Sequence, residues 1–269
     1  FEFLALEPKL ISPPEPVHSP DRLREGISFK GVTFRYPGTG KIAVENFDLT
    51  VPAGRLVAIV GPNGAGKSTL VKLLCRLYDP ESGSITIDGT DLRQFSVEEL
   101  RRRMTVLFQQ PLHYNATVTD NIRFGDVNAE SVNGAVHAAA ANAGADTFIE
   151  RLPGGYENLL GYWFEKGTEL SVGEWQRVAL ARAFLREANI ILLDEPTSSM
   201  DPWAEADWLS RFRELAKNRT SILITHRFTT ATLADEIHVM DEGRIVESGT
   251  HADLIARTGR YAEWWKMQR

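Results

Sequence analysis

The sequence predicts an α/β fold that combines a mostly parallel sheet with an N-terminal antiparallel β subdomain and an inserted α-helical subdomain. Apolar residues alternate with polar ones between Ile27 and Val51, a period typical of half-buried antiparallel strands. Later, short apolar runs alternate with helical segments, which indicates parallel strands joined by helices. Between them, at about 109–188, the chain is Ala-rich with a helical period. We interpret this stretch as the inserted helical subdomain.

Composition limits the classes of function that remain open. The chain has 269 residues, 43% of them hydrophobic, which is enough for one large domain with a buried core. Its formal net charge is -6, so we predict no nucleic-acid partner. Cys75 is the single cysteine, which excludes an internal disulfide and a cysteine-based zinc site. No apolar run reaches the roughly 18 residues of a membrane span, so we expect that this chain does not cross a bilayer by itself.

Residues 1–26 are predicted to be a linker from an upstream domain. They contain five prolines among charged residues, a composition that favours extended backbone over a packed element. The apolar opening at 1–6 fits the end of a helix that belongs to the upstream domain, and an ordinary frayed terminus accounts for it equally well. Because the chain begins with Phe1 rather than methionine, we expect a piece of a longer polypeptide or a processed product.

The elements from residue 27 onward follow in a regular order. Residues 27–36 and 44–51 are predicted strands, and the Pro37-Gly38 turn ends the first of them. Residues 55–60 contain a continuous apolar run, which is typical of a strand covered on both faces. A helix is predicted from Ser68 to Leu77, because apolar residues recur there at helical spacing.

After the helical stretch, buried strands and helices alternate again. The predicted elements are strands at 190–193 and 221–225, helices at about 203–217 and near Thr229, and a hairpin at 236–246. Strands that alternate with helices imply a mostly parallel sheet.

A glycine-rich loop separates the strand at 55–60 from the helix that follows it. The loop fits the pattern G-x-x-x-x-G-K-[ST] with Gly61, Pro62, Asn63, Gly64, Ala65, Gly66, Lys67 and Ser68. The N–H groups of such a loop converge on phosphate oxygens, and the helix N-terminus adds a partial positive charge. We predict that Lys67 contacts the β- and γ-phosphates of a nucleotide, that Ser68 places its hydroxyl on Mg²⁺, and that Thr69 reaches an inner phosphate.

Two carboxylates follow the predicted strand at 190–193. Asp194 and Glu195 lie at the carboxyl end of a central strand, where open α/β sheets bind ligands. We predict that Asp194 holds Mg²⁺ and that Glu195 acts as the general base that polarises a water. Taken alone, the same two acids are also compatible with a solvated turn. The phosphate loop at 61–68 favours the functional role.

A third motif precedes that strand and resembles the L-S-G-G-Q signature of ABC-type ATPases. Its residues are Leu170, Ser171, Val172, Gly173 and Glu174. Val172 replaces the first glycine and Glu174 replaces the glutamine, whereas Ser171 and Gly173 are kept. In that family the serine and the second glycine face the γ-phosphate of ATP bound to the opposite subunit. From the residues alone, we predict that Ser171 caps a helix running to about Arg186.

Four further positions match motifs of the same family in the same order. Tyr36 resembles the aromatic residue that stacks on adenine, a role that needs its ring rather than its hydroxyl. Gln109 resembles the glutamine that reaches the metal and the attacking water and connects to the transport domain. Residues 196–201 resemble the loop that exchanges contacts between subunits, and His226 resembles the switch histidine that contacts the γ-phosphate. Taken singly, such residues are more often ordinary loop or surface residues.

The resemblance extends from about residue 27 to the C-terminus, so it implies that 27–269 are the nucleotide-binding domain of an ABC transporter. It implies a P-loop NTPase (RecA-like) core. The proline-rich lead-in and residues 164–167 are similar to exporters whose membrane helices are fused upstream. In those exporters a G-E-x-G-like loop contacts the partner's transmembrane domain, and here Phe164 stands for the first glycine.

Such a domain binds ATP and Mg²⁺ and closes on a second nucleotide-binding domain, identical or different, around two ATP molecules. The resemblance thus implies ATP-driven export through transmembrane domains, from the cytoplasmic side of the cell membrane. One alternative is a soluble ABC-type ATPase that acts in translation or on DNA, and the acidic balance disfavours it. The other is a regulatory subunit that hydrolyses weakly. The altered signature keeps this reading open, whereas Glu195 and His226 favour hydrolysis.

Overall fold

The computed structural model describes residues 10–127, 132–163, 167–186, 188–197 and 200–268. The chain divides into two compact units, one of Phe1–Met104 with Thr220–Arg269 and one of Thr105–Arg219. Three features of the sequence lie outside the described residues: the apolar opening at 1–6, residues 164–166 before the signature, and residues 198–199 of the loop at 196–201.

The first unit contains a four-stranded antiparallel sheet. Its strands are β1 (Gly26–Arg35), β2 (Ile42–Pro52), β4 (Ser82–Ile87) and β5 (Thr90–Asp91), in the order β2-β1-β4-β5. Ile27 and Phe29 are buried, and so are Val32 and Phe34, one residue out of phase. A register shift between Phe29 and Val32 explains the change of phase, because a β-bulge inserts one residue into a strand. The predicted antiparallel sheet is confirmed.

The second sheet of this unit is built around β3 (Leu56–Val60), which is parallel to both of its neighbours. These are β8 (Thr220–Thr225) and β9 (Glu236–Asp241), and β10 (Arg244–Gly249) pairs with β9 in antiparallel fashion. The last four residues of β3 and all residues of β8 are buried. The apolar runs in the sequence therefore mark strands covered on both faces, as predicted.

The helices of this unit are α1 (Lys67–Leu74), α2 (Val97–Arg102), α8 (Phe228–Ala231), α9 (His251–Ala256) and α10 (Arg260–Met267). The sequence predicts that α1 reaches Leu77, but the helix ends at Leu74. Arg76 adopts a left-handed φ of 48°, and the N–H of Leu77 donates to the carbonyl of Lys72 at 2.8 Å. This arrangement closes a helix and leaves Leu77 half exposed.

The described part of the proline-rich segment, residues 10–25, contains neither helix nor strand and is hydrogen-bonded to the first unit. The N–H of Val17 donates to the carbonyl of Gln94, and the N–H of Ser19 donates to the carboxylate of Glu99, both at 2.9 Å. Arg76, which is buried, donates to the carbonyl of Ile11 at 3.2 Å. The role of this segment as a linker to an upstream domain stays a prediction.

The second unit is mainly helical. Strands β6 (Met104–Phe108) and β7 (Ile190–Asp194) are neighbours, and the helices are α3 (Val118–Arg123), α4 (Val132–Ala143), α5 (Asp146–Ile149), α6 (Val172–Leu185) and α7 (Pro202–Ala216). Its buried core includes Trp175, Trp208 and Phe212. Helices α3 to α6 fall within 109–188, and the helical subdomain with those boundaries stays a prediction. Among the described helices of either unit, none combines the length and apolar character needed to cross a membrane.

Candidate functional site

The loop at 61–68 connects the end of β3 to α1, as predicted. Gly64 has a φ of 82°, and a Cβ placed there would meet no atom within 4 Å, so the main chain faces open space. Gly66 has a φ of 100°, and a Cβ there would collide with the carbonyl oxygen of Ala43. Glycine adopts both conformations without strain. The loop therefore presents bare backbone beside the N-terminus of α1, which is the environment that favours anions.

Lys67 is the first residue of α1 and is buried. Its Nζ donates to the carbonyl oxygens of Gly61 and Pro62, each at 2.9 Å. Both acceptors are carbonyl groups of the loop itself, so these two bonds hold the ammonium inside the loop. The side chain thus supplies a fixed positive charge at the same loop where the helix N-terminus favours an anion.

Tyr36, the first residue after β1, lies next to this loop through its hydroxyl. The Tyr36 hydroxyl oxygen is 3.0 Å from the Oγ1 of Thr69, and either group can donate. The ring makes edge contacts with Phe34 and Tyr78 at centroid distances of 5.1 and 5.5 Å. The Nζ of Lys72 lies 5.1 Å from the centroid of the Tyr36 ring. Tyr36 also lines an open cavity of about 740 Å³. The ring is therefore held in one orientation from several sides.

His226 follows directly after β8 in a short segment, residues 225–228, that we call the switch segment. Thr225 Oγ1 accepts a hydrogen bond from the N–H of Arg227 at 2.9 Å. The Gln268 side chain binds the same segment: its Nε2 donates to the carbonyl of His226 at 2.7 Å, and its Oε1 accepts from the N–H of Phe228 at 3.1 Å. The backbone on both sides of His226 is thus fixed by side chains.

Of the two predicted carboxylates, Asp194 is the last residue of β7 in the second unit and Glu195 follows it. Both are half-buried. Glu195 has a left-handed φ of 51°, an uncommon conformation for a residue other than glycine. Such strain is concentrated at functional sites. The turn that follows is held by Gln176 of α6, whose Nε2 donates to the carbonyl of Pro196 at 2.9 Å. Thr197 is buried and donates to Glu205 at 2.9 Å.

The signature residues begin α6, and Ser171 is the cap of this helix as predicted. Ser171 Oγ accepts from the N–H of Glu174, while Glu174 Oε2 accepts from both the N–H and the hydroxyl of Ser171 at 2.8 Å. This reciprocal pair is a capping box. Ser171 and Val172 are exposed, and a Cβ at Gly173 would meet nothing within 4 Å. The motif therefore presents an open helix N-terminus with a carboxylate bonded to its serine.

Gln109 is the first residue after β6, and its side chain is exposed. The loop that it begins is connected to the signature helix within the second unit. His113 of this loop stacks on Trp175 of α6, with centroids 4.1 Å apart and planes at 6°. Asp201, at the end of the loop 196–201, caps α7 by accepting from the N–H groups of Trp203 and Ala204.

The structure also contains a half-buried arginine site that no motif in the sequence indicated. Arg182 of α6 donates to the carbonyl and the side-chain oxygen of Asn121, both at 2.7 Å, and to the carbonyl of Leu112 at 2.8 Å. Burial lowers the pKa of the Arg182 guanidinium to about 10. No local pattern connects residues so far apart in sequence. The site fixes the loop after Gln109 to the helix that Ser171 begins.

The predicted site residues thus fall into two groups. In the first unit, Tyr36 and Thr69 meet at the phosphate loop, which Lys67 completes, and His226 lies in the switch segment. The second unit holds Gln109, the signature, Asp194 and Glu195. The assembly of both groups into one site stays a prediction.

Comparison with known proteins decides the family. A family described as "ABC transporter" matches residues 44–198. This chain belongs to the ABC transporter family. It is 44% identical to an "ATP-dependent lipid A-core flippase" of Hahella chejuensis and 42% identical to one of Vibrio cholerae. Each alignment extends over 248 residues and covers 92% of this chain and 42% of the relative.

Among solved structures, the chain matches a bacterial Atm1-family ABC exporter with ATP bound, with a TM-score of 0.91 and 39% identity. That match covers 100% of this chain and 46% of the exporter chain. The predicted fold, a P-loop ATPase domain with an antiparallel N-terminal sheet, is confirmed. This ABC domain spans about two fifths of the length of the curated relatives that it matches.

Proposed function

We propose that this chain binds and hydrolyses ATP as the nucleotide-binding domain of an ABC exporter. The observation on which this rests is the open glycine loop at the start of α1, with the buried ammonium of Lys67 held inside it. Bare N–H groups, a helix N-terminus and a fixed cation suit the phosphates of a nucleotide. The names of the relatives, which are ATP-dependent flippases and an ATP-bound exporter, support the same function.

In this proposal, adenine stacks on the Tyr36 ring and the loop binds the phosphates. The residues that would contact ATP in this chain are Tyr36, Gly61, Asn63, Gly64, Ala65, Gly66, Lys67, Ser68 and Thr69. Thr69 would connect the adenine site to the phosphate site. Its hydroxyl is hydrogen-bonded to that of Tyr36, and the residue lies in the first turn of α1.

Mg²⁺ would be bound by Ser68, Asp194 and Gln109. These residues offer hydroxyl, carboxylate and amide oxygens, the hard donors that Mg²⁺ prefers. Among the described residues, no group of three or more His, Cys, Asp or Glu side chains could hold a metal ion. That fits a site in which the protein supplies a few oxygens, and water and nucleotide phosphates supply the rest. The ion would neutralise charge on the phosphates.

Hydrolysis would use Glu195 as the general base, with Gln109 orienting the attacking water and His226 contacting the γ-phosphate. A base must remain in hydrogen-bond reach of the water throughout the reaction. The left-handed φ of Glu195 and the hydrogen bond of Gln176 to the next carbonyl fix the backbone from which this carboxylate projects. Such preorganisation lowers the cost of reaching the transition state.

The second partner would be another nucleotide-binding domain, identical or different, whose signature completes the site. Ser171, Val172, Gly173 and Glu174 of one domain would face the ATP bound by the other. The exposed, capped start of α6 is a suitable anion-binding surface. Transmembrane domains would connect this pair to the transported substrate, and the domains would act on the cytoplasmic side of the membrane.

One observation favours a second candidate, a regulatory domain that hydrolyses slowly. The carboxylate of Glu174 accepts the hydroxyl of Ser171 at 2.8 Å, so it competes with a phosphate for this donor. It also adds negative charge where a γ-phosphate would approach. A neutral glutamine at this position would cap the helix without that repulsion.

The proposed function is tested by the dependence of ATP hydrolysis on protein concentration. In a composite site, one chain supplies Lys67 and Glu195 and the other supplies Ser171, so hydrolysis waits for two chains to meet. We expect the rate per molecule, measured as phosphate release with Mg²⁺ present, to rise with concentration until dimers dominate. A rate per molecule that stays flat over a wide dilution range would contradict a two-chain site. Complete absence of hydrolysis at high concentration would favour the regulatory candidate.

The Tyr36 hydroxyl gives a second prediction. Stacking alone needs only the ring, so loss of the ring in Tyr36→Ala should weaken ATP binding by about 1–3 kcal/mol. The hydroxyl, however, bonds Thr69, so Tyr36→Phe should weaken binding too, by about 0.5–1.5 kcal/mol. Calorimetric titration measures both affinities. Thr69→Val removes the partner of this hydroxyl and the proposed phosphate contact together, so it should weaken binding at least as much as Tyr36→Phe. A Tyr36→Phe variant that binds ATP with the affinity of the parent would show that the hydroxyl does not contribute to ATP binding. If Tyr36→Phe bound ATP as weakly as Tyr36→Ala, the ring would not be stacking on adenine.

A further inference from the structure

The Gln268 side chain makes a paired contact with the switch segment. Its amide donates to the carbonyl of His226 at 2.7 Å and accepts from the N–H of Phe228 at 3.1 Å. The partners fix the orientation of the amide, because a carbonyl needs the NH₂ group and an N–H needs the oxygen. The N–H of Phe228 belongs to the first turn of α8, where backbone donors lack intrahelical partners. Gln268 therefore supplies an acceptor for the N–H of Phe228 and a donor for the carbonyl of His226.

Gln268 is presented by α10, a helix that is fixed at its beginning by a carboxylate. The carboxylate of Glu247 accepts from the N–H groups of Arg260 and Tyr261, at 2.6 and 3.2 Å. The N–H of Gln268 bonds the carbonyl of Trp264, so the side chain leaves directly from the last turn. The position of the amide is thus set by the helix as a whole.

Aromatic side chains of the same helix also pack against the switch segment. Tyr261 is fully buried, and its hydroxyl is 2.8 Å from Nδ1 of His251. The ring of Phe228 makes edge contacts with the rings of Tyr261 and Trp264, at centroid distances of 5.0 and 6.2 Å. Phe228 lies two residues after His226. Packing and hydrogen bonding by α10 therefore converge on one short piece of backbone.

We propose that α10 positions His226 for ATP hydrolysis and that Gln268 is the positioning residue. Thr225 binds the N–H of Arg227 from within the segment, and Gln268 binds the peptide groups on either side from outside it. Together they define the backbone from which the His226 side chain leaves. This inference rests on the proposed role of His226 at the γ-phosphate. Gln268 itself touches backbone rather than nucleotide, so its removal should affect the hydrolytic step more than ATP binding.

The first test replaces the amide by a side chain of similar length without hydrogen-bonding groups. We expect Gln268→Met to lower kcat by about three- to tenfold, the scale of losing one or two modest hydrogen bonds, with the affinity for ATP within about twofold of the parent. Gln268→Glu keeps the acceptor for Phe228 but sets a carboxylate against the carbonyl of His226, and it should be at least as slow. Lys266→Met, an exposed change in the same turn of α10, should leave kcat unchanged.

A double-mutant cycle separates positioning from general stability. In a His226→Ala background, Gln268→Met should lower the residual rate no further, because the residue that it positions is gone. An equal further loss there, or a parent-like kcat for Gln268→Met in the parent background, would overturn the inference. So would a drop in kcat matched by weaker ATP binding and a lower melting temperature. If the parent protein does not hydrolyse ATP, the proposed ATPase function is wrong. If the parent hydrolyses ATP but Gln268→Met has no effect on kcat, only the role of Gln268 is wrong.

Discussion

Replacing Lys67 by alanine should abolish productive ATP binding by this chain. The ammonium is held by two loop carbonyls at 2.9 Å, next to the N-terminus of α1, so its charge is fixed before any ligand arrives. Charge-assisted hydrogen bonds contribute about 1.5–3 kcal/mol each. The loss of two such contacts with the β- and γ-phosphates would weaken binding by about 3–6 kcal/mol, which is a factor of a hundred or more.

Calorimetric titration with ATP and Mg²⁺ measures this loss directly. Lys30→Ala is a suitable control, because it removes the same charge from an exposed position on β1. The melting temperature of Lys67→Ala needs to be checked as well, since the carbonyls of Gly61 and Pro62 lose a donor. A folded Lys67→Ala variant with the affinity and activity of the parent would refute the phosphate site.

Replacing Glu195 by glutamine should separate ATP binding from ATP hydrolysis. The amide has the shape of the carboxylate but cannot take a proton from water, so the rate should fall by about 10² or more. The affinity for ATP should change little, because Glu195 is not among the residues proposed to bind the phosphates. Phosphate release under single-turnover conditions measures the chemical step.

Glu214→Gln makes the same chemical change on α7, where the exposed carboxylate pairs with Lys217 at the surface. Surface pairs of this kind contribute little, so this variant should hydrolyse ATP like the parent. If Glu195→Gln also hydrolysed ATP at the parent's rate, the general base would have to be another group.

Much of the fold could be predicted because its signals are local. The apolar runs of β3 and β8 and the alternation of β1 depend on neighbouring residues, and even the bulge after Phe29 is visible as a break in period. The missed elements lack such signals. Helix α2 has six residues, too few to display a helical period, and β4 begins with the small residues Ser82 and Gly83.

The site divides in the same way between local and distant interactions. The phosphate loop and the capping role of Ser171 depend on residues that are adjacent in sequence. Ser171 and Glu174 are three residues apart, the spacing of a capping box. This spacing could have predicted that Glu174 caps α6 together with Ser171. The contact of Gln268 with His226 joins residues 42 apart. Only the packing of α10 brings them together, so no motif in the sequence could have indicated it.

We propose that two chains share each ATP, and the Glu195→Gln variant tests this arrangement. With hydrolysis blocked, bound ATP should hold two chains together, so light scattering after gel filtration should give the mass of a dimer with ATP and Mg²⁺ and of a monomer without them. Adding Ser171→Arg, which blocks the surface that faces the partner's phosphates, should return Glu195→Gln to a monomer that still binds ATP. A Glu195→Gln chain that stays monomeric at saturating ATP, or a dimer that persists when Ser171→Arg is added, would show that the two chains do not share the ATP sites.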